Sequence, residues 1–263
     1  MGTSADRDTL VARLRAAGCV FAEDEARLLL EQAASPGELE AMVARRVAGE
    51  PLEYILGWAE FCGMRIAVAS GVFVPRRRSE ALVREAARSL GPGVGDASIV
   101  VDLCCGSGAI AAAILARVPS AEVYATDLDS AAVTCARVNL ETLGGRVLTG
   151  DLFGALPPEL RGRVAIVVAN APYVPTDEIP TMPPEARDHE PRIALDGGLD
   201  GTEVHRRIAE EAPAWLAPGG HLLIESGRAQ AATTARHMAA AGFAVTIVED
   251  DELDATVVVG RLE

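Results

Sequence analysis

From residue 97 onward, apolar runs of strand length alternate with segments whose apolar residues recur at helical spacing. The predicted strands are at about 98–103, 121–126, 146–149, 164–169, 220–225, 243–249 and 255–262. The predicted helices are at about 108–117, 129–140, 201–216 and 228–241. This alternation predicts an α/β fold, a parallel sheet with helices on both faces. Because only residues 250–254 separate the last two strands, too few for a helical crossover, those strands are expected to be antiparallel.

The first 70 residues follow a different pattern. Apolar residues recur at helical intervals over residues 6–48, with breaks at Gly18 and Ser35-Pro36-Gly37, which predicts two or three short helices. Residues 52–74 alternate like paired strands, most clearly from Phe61 to Val68. We therefore expect an N-terminal helical domain at 1–50, a hairpin linker at 51–74 and a large domain at 75–263.

Composition and charge narrow the classes of function. The 263 residues are 49% hydrophobic, which is enough for one large and one small domain. We expect neither a membrane span nor a signal peptide, because no sufficiently long apolar run or leader pattern occurs. Five cysteines and four scattered histidines lack metal-ligand spacing, which favours reduced thiols in a cytoplasmic protein without a metal. The net charge of −14, with arginine as the only basic residue besides histidine, disfavours binding to DNA.

A glycine-rich turn follows the first strand of the large domain. Cys104-Cys105-Gly106-Ser107-Gly108 comes after that strand, and Asp127 ends the next one about 20 residues later. Glycines let the backbone approach a ligand, and an acid at this position binds ribose hydroxyls. The pattern also satisfies the relaxed dinucleotide fingerprint, so a nicotinamide-dependent dehydrogenase is an alternative. Asp102 in the end of the first strand, together with the turn after the fourth strand, favours S-adenosylmethionine instead.

That second turn is Asn170-Ala171-Pro172-Tyr173, which ends the apolar run 164–169. An amide or exocyclic amino nitrogen is a poor nucleophile because its lone pair is delocalised, so an enzyme must orient it. The Asn170 side-chain oxygen and the Ala171 carbonyl are two acceptors for its two N–H bonds. Pro172 fixes the turn, and Tyr173 offers a flat face to a planar group. A structural Asx-type turn is the alternative interpretation.

Several stretches match one family over nearly the whole chain. They are Gly49 to Gly57, Phe61-Cys62-Gly63, Val74-Pro75-Arg76 with Glu80, Asp102 to Ile110, Ala125-Thr126-Asp127 and Arg187 to Gly198. On these residues the chain resembles the HemK-type protein-(glutamine-N(5)) methyltransferases. The last stretch is the most specific, because dehydrogenases and DNA methyltransferases have no reason to carry it. The resemblance implies a class I S-adenosylmethionine-dependent methyltransferase fold, with seven mostly parallel strands and an antiparallel last strand.

The resemblance also implies an activity and a set of site residues. S-adenosylmethionine would donate a methyl group to a glutamine amide in a protein substrate, a peptide chain release factor or a ribosomal protein. The N-terminal helices would help to dock that substrate. The residues expected to bind the cofactor are Asp102, Cys104, Cys105, Gly106, Ser107, Gly108, Asp127, Asp151, Leu152 and Asn170. The residues expected to be catalytic are Asn170, Ala171, Pro172 and Tyr173.

The chain departs from the family pattern in three places. The family usually has Asn-Pro-Pro-Tyr, and Ala171 keeps the acceptor carbonyl of that turn but loses one rigid residue. Arg77-Arg78-Ser79 replaces the usual Pro-Glu-Thr, and the N-terminal helical region is shorter than that of release-factor enzymes. A divergent branch with another protein target is therefore possible. A DNA or RNA amino-methyltransferase and a non-catalytic S-adenosylmethionine-binding protein are the remaining alternatives, and the acidic charge argues against the nucleic-acid enzyme.

Overall fold

The structure is a computed structural model that describes residues 4–91 and 98–263. Residues 1–3 and 92–97, which fall in the expected helical and large domains, lie outside the described residues. Residues 4–56 contain helices α1 (Ser4–Ala16), α2 (Ala22–Gln32), α3 (Pro36–Val47) and α4 (Leu52–Leu56). Their buried apolar faces form one cluster that includes Leu14 and Leu29. Ser35 caps α3, because its hydroxyl accepts a 3.2 Å hydrogen bond from the Glu38 N–H.

The strand pattern predicted from residue 52 is wrong at its start, because Leu52–Leu56 form the helix α4. A two-stranded hairpin follows these helices. Strands β1 (Trp58–Phe61) and β2 (Met64–Ala67) pair antiparallel, and both residues of the connecting turn have positive φ. Such a turn matches the twist of the two strands. Phe61 and Ile66 of the hairpin are buried in the same cluster as the helices of the large domain, so the hairpin packs onto that domain.

The remaining elements are helices and strands that mostly alternate along the chain. They are α5 (Glu80–Leu90), β3 (Ile99–Leu103), α6 (Ala109–Arg117), β4 (Glu122–Asp127), α7 (Ser130–Leu140), β5 (Arg146–Thr149), β6 (Val164–Ala169), α8 (Pro184–His189), α9 (Glu203–Glu211), β7 (Leu216–Glu225), α10 (Arg228–Ala240), β8 (Phe243–Asp250) and β9 (Ala255–Leu262). The strand order is β5-β4-β3-β6-β7-β9-β8. β9 lies antiparallel to both of its neighbours, and the other adjacent pairs are parallel. The predicted sheet and its reversed last strand are confirmed.

The two faces of the sheet bury separate clusters. Val100 of β3 packs with α5, α6 and α7, whereas Val101 packs with α9 and α10 on the opposite face. Successive side chains of a strand point to opposite faces, so a strand covered on both sides reads as a continuous apolar run. Among the described residues, no helix is long and apolar enough to cross a membrane.

The structure differs from the sequence predictions at three places in this region. No helix was predicted between residues 75 and 97, where α5 lies. The helix predicted at 201–216 ends at Glu211, because Pro213 lacks the N–H that would continue it. β7 then begins at Leu216 and passes through Pro218-Gly219-Gly220, residues that are more typical of a turn.

Candidate active site

A cavity of about 740 Å³ opens at the carboxyl ends of the parallel strands. The turn after β3, the end of β4, the loop after β5 and the turn after β6 all contribute to its wall. Ligands bind at this edge in open α/β sheets. The structure thus brings the glycine-rich turn and the Asn170 turn into one cavity, although 62 residues separate Gly108 from Asn170 in the chain.

All but two of the expected site residues line this cavity. Those that do are Cys104, Cys105, Gly106, Ser107, Asp127, Asp151, Leu152, Asn170, Ala171, Pro172 and Tyr173. Asp102 instead lies fully buried under the loop, where its carboxylate accepts a 3.1 Å hydrogen bond from the Ala111 N–H. Gly108 permits the close approach of α6 to α7. A side chain at this position would crowd α7, because its Cβ would lie only 3.1 Å from the Cβ of Ala136. Both residues therefore shape the loop without lining the cavity.

The loop after β3 has an unusual backbone. Cys104 and Gly106 both have φ of 55°, a left-handed conformation that glycine adopts freely and other residues adopt at a cost. The Gly106 N–H donates a 2.8 Å hydrogen bond to one oxygen of Asp127, and the Asp129 N–H donates a 2.9 Å bond to the other. Each carboxylate oxygen has two lone pairs, so Asp127 can still accept hydroxyl donors from a ligand.

Burial of the ionisable side chains in and beside this loop favours their protonated forms. It raises the pKa of Asp102 to about 8, and the nearby charge of Asp127 acts in the same direction. Burial also raises the pKa of Asp127 and of both the Cys104 and Cys105 thiols. Thiols with raised pKa values stay protonated and are poor nucleophiles. The adjacent cysteines therefore fill a tight turn and carry no reactive thiolate.

The Asn170 turn has a defined hydrogen-bond partner. The Asn170 Nδ2 donates a 3.2 Å hydrogen bond to the Ser79 Oγ, which leaves Oδ1 as the acceptor for another group. The Arg78 guanidinium carbon lies 5.9 Å from the centroid of the Tyr173 ring. Burial and the neighbouring Glu225 carboxylate raise the pKa of Tyr173 to about 12, so its phenol is neutral at physiological pH.

The sequence interpretation missed Ser79, Arg78 and Glu225 as residues around this turn. The approach of Ser79 to Asn170 joins residues 91 positions apart, which no local pattern reveals. The departure of Arg77-Arg78-Ser79 from the family pattern was the one available signal. Nearby, Arg76 and Glu190 line the cavity and form a 2.6 Å ion pair.

Residues 174–198, here called the roof segment, follow the Asn170 turn and border the cavity. The Thr176 hydroxyl donates a 2.6 Å hydrogen bond to Asp196 and so joins the two ends of the segment. Arg46 of α3 connects the segment to the N-terminal helices. Its guanidinium lies 2.6 Å from Glu25 of α2 and also 2.6 Å from Glu185 of α8.

Comparison with known proteins agrees with this geometry. Residues 65–181 match the family model described as methyltransferase small domain. The fold and the site define a class I S-adenosylmethionine-dependent methyltransferase. The chain is 41% identical over 214 residues to a release factor glutamine methyltransferase of Geobacter sulfurreducens, an alignment that covers 80% of this chain and 73% of that protein. The chain belongs to the release factor glutamine methyltransferase family.

Two further relatives show how far the similarity extends. The chain is 38% identical over 245 residues to the 4-amino-L-phenylalanine/4-methylamino-L-phenylalanine methyltransferase of Streptomyces pristinaespiralis, covering 86% of this chain and 83% of that one. A solved structure of a T. thermophilus 16S rRNA N2 G1207 methyltransferase has a TM-score of 0.54 at 20% identity, covering 78% of this chain and 50% of that one. This last likeness supports the fold alone.

The residues of the cavity fit S-adenosylmethionine. Asp127 presents carboxylate lone pairs where ribose hydroxyls need acceptors, and the left-handed Gly106 keeps the wall beside it free of side chain. Leu128 and Leu152 supply apolar walls on the two loops that flank this acid, which suits an adenine ring. In the part of the chain that the structure describes, no group of three or more His, Cys, Asp or Glu side chains is arranged to hold a metal ion.

Proposed function

We propose that this protein methylates the side-chain amide nitrogen of a glutamine in a peptide chain release factor. The observation that carries the proposal is the hydrogen bond from Asn170 to Ser79, which leaves the Asn170 oxygen available in a cavity suited to the methyl donor. The names of relatives such as the Geobacter sulfurreducens protein support this substrate.

In the proposed mechanism, S-adenosylmethionine supplies an electrophilic methyl carbon. Asp127 binds and orients the ribose of the donor. The Asn170 Oδ1 and the Ala171 carbonyl accept the two N–H bonds of the substrate amide and hold its nitrogen in line with the methyl group. Both acceptors favour the positive charge that develops on that nitrogen during transfer. The S–C bond of the donor would break as the N–C bond forms, so the donor would leave as a neutral thioether. The methylated nitrogen is acidic and would lose its extra proton to solvent water, so the mechanism requires no strong base.

The domain division belongs to the same proposal. Residues 1–50 would dock the protein substrate, 51–74 would act as a linker and 75–263 would perform the transfer. Two features support a docking role: the N-terminal helices have their own buried cluster, and they leave Val20 and Phe21 largely exposed. We place the protein in the cytoplasm, because all five cysteines are free thiols in the structure.

A second candidate substrate is a small aromatic amine. An aniline nitrogen also presents two N–H bonds and a delocalised lone pair, so the Asn170 turn would orient it equally well. The specific support is the Streptomyces pristinaespiralis relative, whose name gives 4-amino-L-phenylalanine as its substrate. Phe61, Phe73 and Tyr173 line the cavity and offer aromatic faces to such a ring.

One experiment separates these candidates. Purified protein and S-adenosylmethionine labelled in the methyl group are incubated with a purified release factor or with 4-amino-L-phenylalanine, and labelled peptides are mapped. We expect label in one glutamine of the release factor. Asn170→Ala should lower kcat by at least ~100-fold and leave cofactor affinity within a few-fold, because only orientation of the acceptor is lost. Label in the amino acid alone would favour the second candidate, and label in neither would contradict both.

A further inference from the structure

We propose that Ser79 is a positioning residue that fixes the orientation of the Asn170 side-chain amide. This inference rests on the proposed role of Asn170 as an acceptor for the substrate amide. It adds to the site a residue that is 91 positions from Asn170 in the chain and that acts through Asn170.

The contact between Ser79 and Asn170 is partly buried. Ser79 is 2% exposed and immediately precedes α5, so the first turn of that helix fixes its position. The Asn170 Nδ2 lies 3.2 Å from the Ser79 Oγ. In this arrangement the amide NH2 points toward α5, and the amide oxygen is the group left for a ligand.

Glu225 lies behind this contact. It is the last residue of β7, one position beyond the paired residues Ala169 and Ile224, and it is 1% exposed. Within the described residues, neither of its oxygens has a hydrogen bond of standard geometry. The Arg78 guanidinium lies beside it, with Nε 3.4 Å from Oε1. This ion pair joins the end of β7 to the segment that carries Ser79.

A hydroxyl has one proton and two lone pairs, which determines what it offers to each neighbour. In the structure the Ser79 hydroxyl accepts from the NH2 end of the Asn170 amide, and its own proton stays available to a second acceptor. The opposite orientation of the amide would turn its two N–H donors toward the N–H bonds of the substrate, where an acceptor is needed. The contact with Ser79 therefore favours the orientation that can accept a substrate N–H bond.

The small number of asparagines in the chain makes the orientation of the Asn170 side-chain amide measurable by NMR. The chain contains two asparagines, Asn139 and Asn170, so protein labelled with 15N in asparagine gives two side-chain amide signals. Asn139 serves as an internal reference, since its Nδ2 donates to the carbonyls of Ala67 and Ser107 at 2.9 and 2.8 Å. We expect Ser79→Ala to shift the Asn170 signal and to raise its amide-proton exchange rate at least ~5-fold, leaving Asn139 unchanged. Ser79→Thr keeps the hydroxyl and should restore the wild-type signal.

Kinetics provide the second measurement. Ser79→Ala should lower kcat by roughly 10- to 100-fold, with KM and cofactor Kd within about 2-fold of wild type, and Ser79→Thr should recover most of the activity. Adding Ser79→Ala to Asn170→Ala should cause no further loss, because the two residues act as a unit. Ser120→Ala, which changes an exposed serine in the turn before β4, at the opposite edge of the sheet from the cavity, is the matched control.

The outcomes distinguish this inference from the proposed function. An unchanged Asn170 signal in Ser79→Ala, or losses in kcat that add in the double variant, would overturn the positioning role. Failure of the wild-type protein to methylate a release factor would refute the proposed substrate. The amide signals would still test the link between Ser79 and Asn170 in that case, because they require no substrate.

Discussion

The backbone N–H of Gly106 donates a 2.8 Å hydrogen bond to the carboxylate of Asp127. This bond joins the loop after β3 to the end of β4, the two segments that bracket the expected cofactor position. Asp127 is thereby held by the loop that we expect the cofactor to approach. The expected ribose acceptor is therefore in place before the cofactor binds, which would reduce the ordering that binding requires.

Replacing Asp127 with alanine should weaken binding of S-adenosylmethionine. The loss of charge-assisted hydrogen bonds to ribose hydroxyls should cost about 1.5–3 kcal/mol, a roughly 10- to 100-fold increase in Kd. Titration calorimetry measures this change. Asp177→Ala, which removes an exposed aspartate that does not line the cavity, is the matched control. Tight binding of NADH without binding of the methyl donor would contradict the assigned cofactor.

The buried Asp102 should make stability depend on pH. Its pKa is about 8 in the folded protein and near 3.8 when unfolded, so the folded state binds more protons between these values. Its contribution to stability is complete below about pH 4 and is lost as pH rises to about 8, by at most about 1.4 kcal/mol per pH unit. Asp102→Asn should remove this slope. Urea unfolding of both proteins at pH 6, 7 and 8, without cofactor, tests the prediction, and parallel slopes would refute it.

Ala171→Pro should preserve methyl transfer. In the proposed mechanism the backbone carbonyl is the acceptor at this position, and a proline keeps it while restricting the backbone. No hydrogen bond from the Ala171 N–H is found among the described residues, so none is lost. We expect activity on the native substrate within about 3-fold of wild type and a stability change of about 0.4–1 kcal/mol. Activity on a release factor and on 4-amino-L-phenylalanine should be measured together, since a reversed preference would show that Ala171 determines specificity.

Arg46→Met should destabilise the protein strongly. The Arg46 and Glu25 side chains are 7% and 10% exposed, so the substitution leaves a carboxylate buried without its partner. Breaking such a pair typically costs about 3–5 kcal/mol. Glu185 is the contrasting partner, because its side chain is 51% exposed, and Glu185→Gln should cost less than about 1 kcal/mol. Thermal and urea unfolding of the two variants gives the comparison, and equal effects would contradict this explanation.

The sequence predicted the sheet well for a physical reason. Strands such as β6 are buried on both faces, so their apolar runs are continuous and end abruptly at turn residues. The glycine-rich turn and the Asn170 turn could also be recognised in the sequence, because ligand binding at the end of a strand requires particular residues there. The start of β7 was not recognisable, since Pro218, Gly219 and Gly220 lie inside the strand.

The contacts that surround the predicted site residues could not be read from the sequence. Ser79 reaches Asn170 only because α5 packs against the ends of β6 and β7, and that packing depends on the whole fold. The resemblance implies that Asp102 binds the cofactor, and that role stays a prediction. The alternation of side chains along β3 turns Asp102 beneath the loop, where it accepts a hydrogen bond from the Ala111 N–H.

The two ion pairs of Arg46 have a consequence for the order of events during binding. The Arg46 guanidinium forms one ion pair with α2 and another with the roof segment, and so connects these two parts of the molecule. Consider a partner that binds the N-terminal helices more tightly when the roof segment is ordered. Because such coupling is reciprocal, binding of that partner must favour the ordered form of the segment. Through this connection, the binding of a protein to the N-terminal helices would be coupled to the order of the roof segment at the cavity.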